Sequence, residues 1–401
     1  MEALPVELFE LVVLRLTRAD LLSLAQTCWC IYHAVEPHLY ESVIIQRAAR
    51  LQAFHRSLRA QPRRAGLVRN FLIKRAGDSY RGSHRAGEPS EEADYCMLPD
   101  LENLVNLSIE SYYLDSNEFN DIFARASRGE ILTRLKTCRL CFLDDNGRRQ
   151  PLHRLDAVLL HPSLQTLTVY HVRDGCRDDV HRQQRSTRLR KLELLNSDLS
   201  VEELAKLLAI PRGLKSLVIH SKSQHSPVDC CPTDCSDYAS ALQFAAESLE
   251  TLVVERDFGF YGHPMKLGAM TALRHGIDDS YLWLGPLMPH PDWIDEPLLR
   301  EIIPPTLEHV GGYLWAYVPD RAIDEAVLTK VLAMMRKVAP AVTLELYSPF
   351  GVSERFKRAC IAAQFPITYT FEEYDENEYE YNAAGFLRKA HFLALPVGPI
   401  D

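Results

Sequence analysis

Apolar residues recur along this chain in two rhythms. Over the first forty residues they crowd at helical spacing, and from residue 68 they return as a six-residue phrase, apolar-x-x-apolar-x-apolar. The phrase reads VRNFLI from Val68, LVNLSI from Leu104, LKTCRL from Leu135 and LQTLTV from Leu164, then LRKLEL from Leu189, LKSLVI from Leu214 and LETLVV from Leu249. Weaker copies are LRHGID from Leu273, LEHVGG from Leu307 and AVTLEL from Ala341. Successive starts differ by 36, 31, 29, 25, 25, 35, 24, 34 and 34 residues. The last three positions of each clear copy alternate apolar, exposed, apolar, which predicts a strand. Helical stretches fall between them: EFNDIFARA from Glu118, LHRLDAVLL from Leu152, LAKLLA behind the capping box opened by Ser200, YASALQFAAES from Tyr238 and AIDEAVLTKVLAMMRKV from Ala322. Strand, crossover helix and strand with one hand predict a parallel sheet, and no single unit can bury its own apolar face. The fold class is therefore α/β, with strands on one face and helices on the other.

The opening segment has a tighter grammar. Pro5 suits a first helical turn, and from Leu8 to Leu16 only Glu10 and Arg15 interrupt the apolar run. Thr17 and Asp20 form a capping box for a second helix, and a third spans about Cys30 to Tyr40, with Pro37 interrupting or kinking it. Leu8, Phe9, Leu11, Val12, Val13, Leu14 and Leu16 wrap most of the first helix, whereas one small core needs a single stripe. Either the rest of the chain covers that excess surface, or another protein does.

Three stretches break the pattern. Residues 76–94 and 221–237 read as loop insertions, and residues 285–305 hold six prolines, which predicts no regular helix there.

Leu4-Pro5-x-Glu7-Leu8-Phe9, Leu16, Asp20-Leu21, Thr27-Cys28 and Tyr32 closely resemble the F-box motif, in register over its length. Pro37-x-Leu39-Tyr40-x-Ser42-Val43 resembles the exit of many fungal-type F-box proteins. Trp29 and Cys30 depart from the Lys or Arg that the family often carries there. The resemblance implies a surface for the Skp adaptor of a Skp–cullin–F-box ubiquitin ligase and, through it, a cullin. Leu4, Pro5, Leu8, Leu11, Val12, Leu16 and Leu21 are the candidate adaptor-binding residues, as apolar anchors. Glu7 matches the motif's acid and equally serves the helix dipole.

The repeating phrase resembles a leucine-rich-repeat horseshoe, a known companion of the F-box. It departs from that pattern in its longer units and in the missing Asn or Cys after the strand; Cys141 and Asn196 stand near that position but out of register. The expectation is an F-box over residues 1–45 and an irregular solenoid over 46–401, clearest from 100 to 257. An ordinary α/β sheet with mixed connections is the alternative.

The middle x of each strand points to the open sheet face. Arg139, Thr168, Glu193, Val218 and Val253, with Lys191 two residues before Glu193, are the candidate contacts for an unknown protein substrate. Thr and Val also simply suit exposed strand positions.

Composition narrows the rest. With 45 basic and 54 acidic residues the net charge is −9, which disfavours nonspecific nucleic-acid binding. No apolar run reaches the length of a membrane span. The acids in the opening residues argue against a secretory leader, and ten cysteines in 401 residues fit a reducing compartment, cytoplasmic or nuclear. Gly77-Asp78-Ser79 with Asp178 and His181 resembles an esterase block, but the other blocks are missing. Cys230, Cys231 and Cys235 with His220 and His225 lack the paired spacing of a zinc site, and Cys138 and Cys141 point to opposite faces of a strand. The acidic run 372–382 reads as a solvated segment or a patch that steers a basic partner. The expectation is a non-catalytic receptor with no cofactor; a repeat scaffold that uses the F-box without ubiquitination of a target is the alternative.

Overall fold

Each repeating phrase becomes a strand, and each such strand pairs with the strand of the next phrase. A computed structural model describes residues 5–46, 48–74, 95–111, 117–142, 150–151, 155–175, 184–197, 199–221, 235–256, 265–278, 294–313, 325–348 and 354–371. The strands are β1 (Ser42–Ile45), β2 (Asn70–Ile73), β3 (Asn106–Ser111), β4 (Thr137–Phe142), β5 (Gln150–Pro151), β6 (Thr166–Tyr170), β7 (Val172–Arg173), β8 (Lys191–Leu195), β9 (Ser216–Ser221), β10 (Thr251–Arg256), β11 (His275–Asp278), β12 (His309–Tyr313), β13 (Thr343–Ser348) and β14 (Ile367–Phe371). The helices are α1 (Val6–Val13), α2 (Arg18–Ala25), α3 (Trp29–Glu41), α4 (Ala48–Ala60), α5 (Asn117–Ser127), α6 (Asp156–Leu159), α7 (Val201–Ala209), α8 (Cys235–Leu242), α9 (Glu296–Ile302), α10 (Glu325–Val338) and α11 (Glu354–Ala362).

Among the described residues twelve strands form one sheet in the order β1-β2-β3-β4-β6-β8-β9-β10-β11-β12-β13-β14, while β5 and β7 pair apart from it. Neighbours run parallel from β1 to β14, as the α/β expectation requires. The units also repeat in their backbone hydrogen bonds. The carbonyls of Arg69, Val105, Lys136, Gln165, Arg190, Lys215, Glu250 and Arg274 each accept from two consecutive N–H groups at the start of the next strand. Arg274 and both donors to the Glu250 carbonyl lie in the weaker copies, so the pattern continues beyond residue 257. Inward positions such as Leu107, Ile109, Leu167, Val169, Leu192 and Leu194 join helix residues such as Phe119, Phe123, Leu204 and Leu207 in one continuous core. Among the described residues no helix is long and apolar enough to cross a membrane.

Local chemistry explains where helices start. Thr17 and Asp20 close the full capping box, and Ser200 Oγ accepts from the Glu203 N–H at 3.3 Å to open α7. Ser200→Ala should lower stability by about 1 kcal/mol, read as a shift of the urea midpoint at unchanged slope. The proline-rich stretch 285–305 does contain a helix, α9: Pro297 falls in its first turn, where no N–H is needed, and Asp295 caps it. Likewise Pro37 lies within α3, which runs on to Glu41. The helix expected from Leu152 is described only as the single turn α6. Helices α4 and α11 and strands β1 and β14 lie outside the stretches that the apolar patterns single out.

The N-terminal helices keep their own small core of Val13, Leu21, Val35 and Leu39, with Phe9, Leu16, Leu24 and Ile31 packed around it. Ser42–Ile45, counted with that unit on sequence grounds, pairs with β2 and so belongs to the sheet. Where the two parts meet, the Glu36 carboxylate accepts from Arg63 Nη2 at 2.6 Å, Arg64 Nε at 2.8 Å and the Tyr32 hydroxyl at 2.8 Å. Burial by itself would raise the Glu36 carboxyl; the hydrogen bonds from Arg64 and Tyr32 and the charges of Arg63 and Arg64 outweigh it and hold it below its ordinary range. A carboxyl lowered on folding contributes stability that is complete at neutral pH and is lost as the pH falls through the lowered value. Hydrogen exchange in the Pro62–Leu67 turn should therefore rise in acid below the usual carboxylate range, and Glu36→Gln should remove that step.

Candidate functional site

Helix α1 has more apolar side chains than its core can take. Pro5 precedes it, and the Pro5 carbonyl accepts from the N–H groups of Leu8 and Phe9 at 3.1 and 3.0 Å. Phe9, Val13 and Leu16, spaced by four and three, share the inner face. Leu8, Leu11 and Val12, spaced by three and four, share a flanking face, and Leu14 follows at the end of α1. Their exposures are 49% for Leu8, 60% for Leu11, 50% for Val12 and 67% for Leu14. This is a bare ridge, and neither core reaches it.

The candidate adaptor-binding residues thus divide. Leu8, Leu11 and Val12 stand on the ridge, and Pro5 is exposed at its start. Leu21 is buried in the three-helix core and Leu16 packs against it, so these two hold the ridge up rather than form it. Leu4 lies outside the described residues. Exposed Leu22 and Trp29 add apolar surface on α2 and α3; Trp29 meets the His33 ring edge-on at 4.0 Å.

The second candidate surface is the open face of the sheet. Strand register aligns its outward residues in rows. One row is polar from end to end: Ser42, Asn70, Asn106, Thr137, Thr166 and Lys191, continuing through Ser216, Thr251, His275 and His309 to Thr343. Its first members are bonded to one another, Asn106 Nδ2 to Asn70 Oδ1 at 2.6 Å and Asn70 Nδ2 to Ser42 Oγ at 2.8 Å.

The next row holds most of the predicted substrate contacts, and it is partly closed. Thr168 Oγ1 donates to Glu193 Oε2 at 2.6 Å, and Lys191 Nζ pairs with Glu193 Oε1 at 2.8 Å. The Arg139 guanidinium lies over the Tyr170 ring at 5.0 Å and 3.8 Å from Glu110. Tyr170, Leu195 and Val218 form a second, small apolar cluster on this face, with Cys141 and Val253 packed on it. Thr168, Glu193 and Val218 are therefore buried, whereas Arg139, Lys191 and Val253 remain half-buried and open to a partner. Tyr170 and Leu195 were passed over in the sequence. Their signal was a large apolar residue two places beyond Thr168 and Glu193, at the next outward position of the same strands.

Burial sets the chemistry of this face. It pushes the Tyr170 phenol up, and together with Glu110 it pushes the Cys141 thiol up to about 12, so both stay protonated at neutral pH. Cys138 lies in the core on the other face, as the strand alternation requires. His220, considered as a metal ligand, is buried; its Nδ1 accepts from the N–H of Asn196, which holds φ at 50° after β8. Among the described residues no group of three His, Cys, Asp or Glu is placed to hold a metal. Gly77, Asp78, Ser79, Asp178, His181, His225, Cys230, Cys231 and the acidic run 372–382 lie outside the described residues.

The arrangement offers apolar docking at one end and a long polar face beside it. No protein-family model matches the chain, and the search of curated proteins found no match.

Proposed function

We propose that this chain is the substrate-recognition subunit of a Skp–cullin–F-box ubiquitin ligase. In this reading α1–α3 are an F-box that seats the Skp adaptor, and the strand–helix array is an irregular leucine-rich-repeat solenoid that holds a target protein on its open face. The observation that carries it is the bare ridge of Leu8, Leu11 and Val12 on a helix whose inner face already has its core. Three short helices do not expose several large apolar side chains in a row without a partner to cover them. The sequential parallel strand order favours a solenoid, in which each unit is sheltered by its neighbours.

The receptor makes no bond itself. It holds a bound protein near a ubiquitin-loaded enzyme, so that transfer becomes effectively intramolecular. Co-expression with the Skp adaptor should yield a stable one-to-one complex on gel filtration; two separate peaks would refute the docking. Ubiquitination of a copurifying protein by the assembled ligase separates the receptor from a scaffold that docks and delivers nothing.

A further inference from the structure

The three-helix unit and the sheet have separate apolar cores. Between them the apolar bridge is slight: Tyr40 of α3 stacks on Phe54 of α4 at 6.4 Å. Units joined this way swing against each other by default. The junction here is instead built from charge. Glu36 is 3% exposed, and it gathers two arginines and a phenol onto one carboxylate.

Its partners come from both sides of the junction. Arg63 and Arg64 come from the Pro62–Leu67 turn, which leads into β2, and Tyr32 comes from α3 itself. Arg64 Nη1 donates to Ser57 Oγ of α4 at 3.0 Å, Arg64 Nη2 donates to the Tyr32 hydroxyl, and the guanidinium covers the Tyr40 ring at 4.9 Å. Ser57 Oγ meets the Tyr40 hydroxyl at 3.0 Å, and Arg63 Nη2 lies 3.1 Å from His33 Nδ1. A buried ionic cluster is a poor source of net stability, because desolvation offsets most of the attraction. Its bonds are directional, however, and apolar packing is not. Such a cluster selects one arrangement among several of similar energy.

We infer that Glu36 is a positioning residue: through Arg63, Arg64 and Tyr32 it holds the three-helix unit at one angle to the sheet. The continuous run of α3 into β1 and the bond from Arg18 Nη1 to the Ser42 carbonyl at 3.0 Å set where the two parts join. The Glu36 cluster sets how far they can turn. Resting on the function proposed above, that angle decides where a target on the open face stands relative to the adaptor on α1.

The test is a distance distribution in the full chain by pulsed dipolar spectroscopy. Spin labels go on non-natural side chains at Glu10 and Arg134, both exposed, since ten native cysteines preclude thiol labelling. The wild type should give one narrow peak. Glu36→Ala should broaden it about twofold at an unchanged circular dichroism spectrum, and Glu36→Gln should broaden it less. Should the Glu36 variants unfold, Arg63→Ala decides instead, because that side chain is more than half exposed and its loss leaves both cores intact. A wild type that is already broad, or folded variants with the wild-type width, overturns the inference. The measurement needs no partner, so its outcome is independent of whether the adaptor binds.

Discussion

Replacing Leu8 and Leu11 together by aspartate should abolish capture of the Skp adaptor while leaving the chain folded. In the free protein these side chains are 49% and 60% exposed, so a carboxylate at either position stays in water. In a docked complex the same positions are covered. About half of each leucine is in water in the free protein, so docking recovers roughly half of the 1.5–3 kcal/mol of full burial at each site, and each carboxylate adds a desolvation cost on the order of several kcal/mol. Together the two sites exceed about 3 kcal/mol, a loss of more than a hundredfold in affinity. Titration calorimetry with purified adaptor reads the affinity, and the thermal midpoint reads the fold. Val13→Asp is the control: Val13 is buried in the three-helix core, so this change should unfold the unit itself. A Leu8/Leu11 double variant that binds within about threefold of the wild type, a difference of well under 1 kcal/mol, would remove the ridge from the adaptor contact.

Gly268→Ala should destabilise the C-terminal part of the array by about 3–5 kcal/mol. The segment before β11 lies against the end of α9, where the Gly268 N–H donates to the Glu301 carbonyl at 2.7 Å and the Leu267 N–H to the Ile302 carbonyl at 3.2 Å. Those bonds satisfy carbonyls that a helix end leaves without partners. A Cβ on Gly268 would stand 2.9 Å from the Glu301 oxygen and closer still to the Arg300 oxygen. Both obstacles are backbone, so neither can rotate away. The segment must lift, breaking both bonds and loosening Leu267, Met270 and Leu273 from the core beside Leu299 and Ile302. Because each unit leans only on its neighbours, the damage should stay local. Hydrogen exchange should rise in β11 and β12 well before β3 to β9, and uniform protection across the array would contradict this account.

The strands were legible because their cause is local. Leu-x-Leu alternation in LQTLTV or LRKLEL needs one buried side and nothing more, and even LRHGID and LEHVGG yield β11 and β12. The Thr17–Asp20 box was equally legible, since its bonds span three residues. Legibility failed where the decisive contact is remote. SVII reads as a tail to α3 until β2 pairs with it, and Pro297 reads as a breaker until Asp295 places it in a first turn. On the open face, alternation assigns Thr168, Glu193 and Val218 to solvent. Their burial depends on Tyr170 and Leu195 standing side by side on adjacent strands, 25 residues apart in the chain.

The chain alone determined the repeating strands, the helices with clear caps or apolar stripes and the surplus of apolar side chains on α1, because periodicity, capping and turn chemistry act over a few residues. Tertiary structure decided which of those side chains find cover. Val13 and Leu21 meet across the small core, while Leu8, Leu11 and Val12 join neither core and stay about half exposed. It also decided that Glu36, 27 and 28 residues from its arginines, closes the junction between the two parts. Burial and ion pairing depend on which distant surfaces are brought together, and no local pattern encodes that choice.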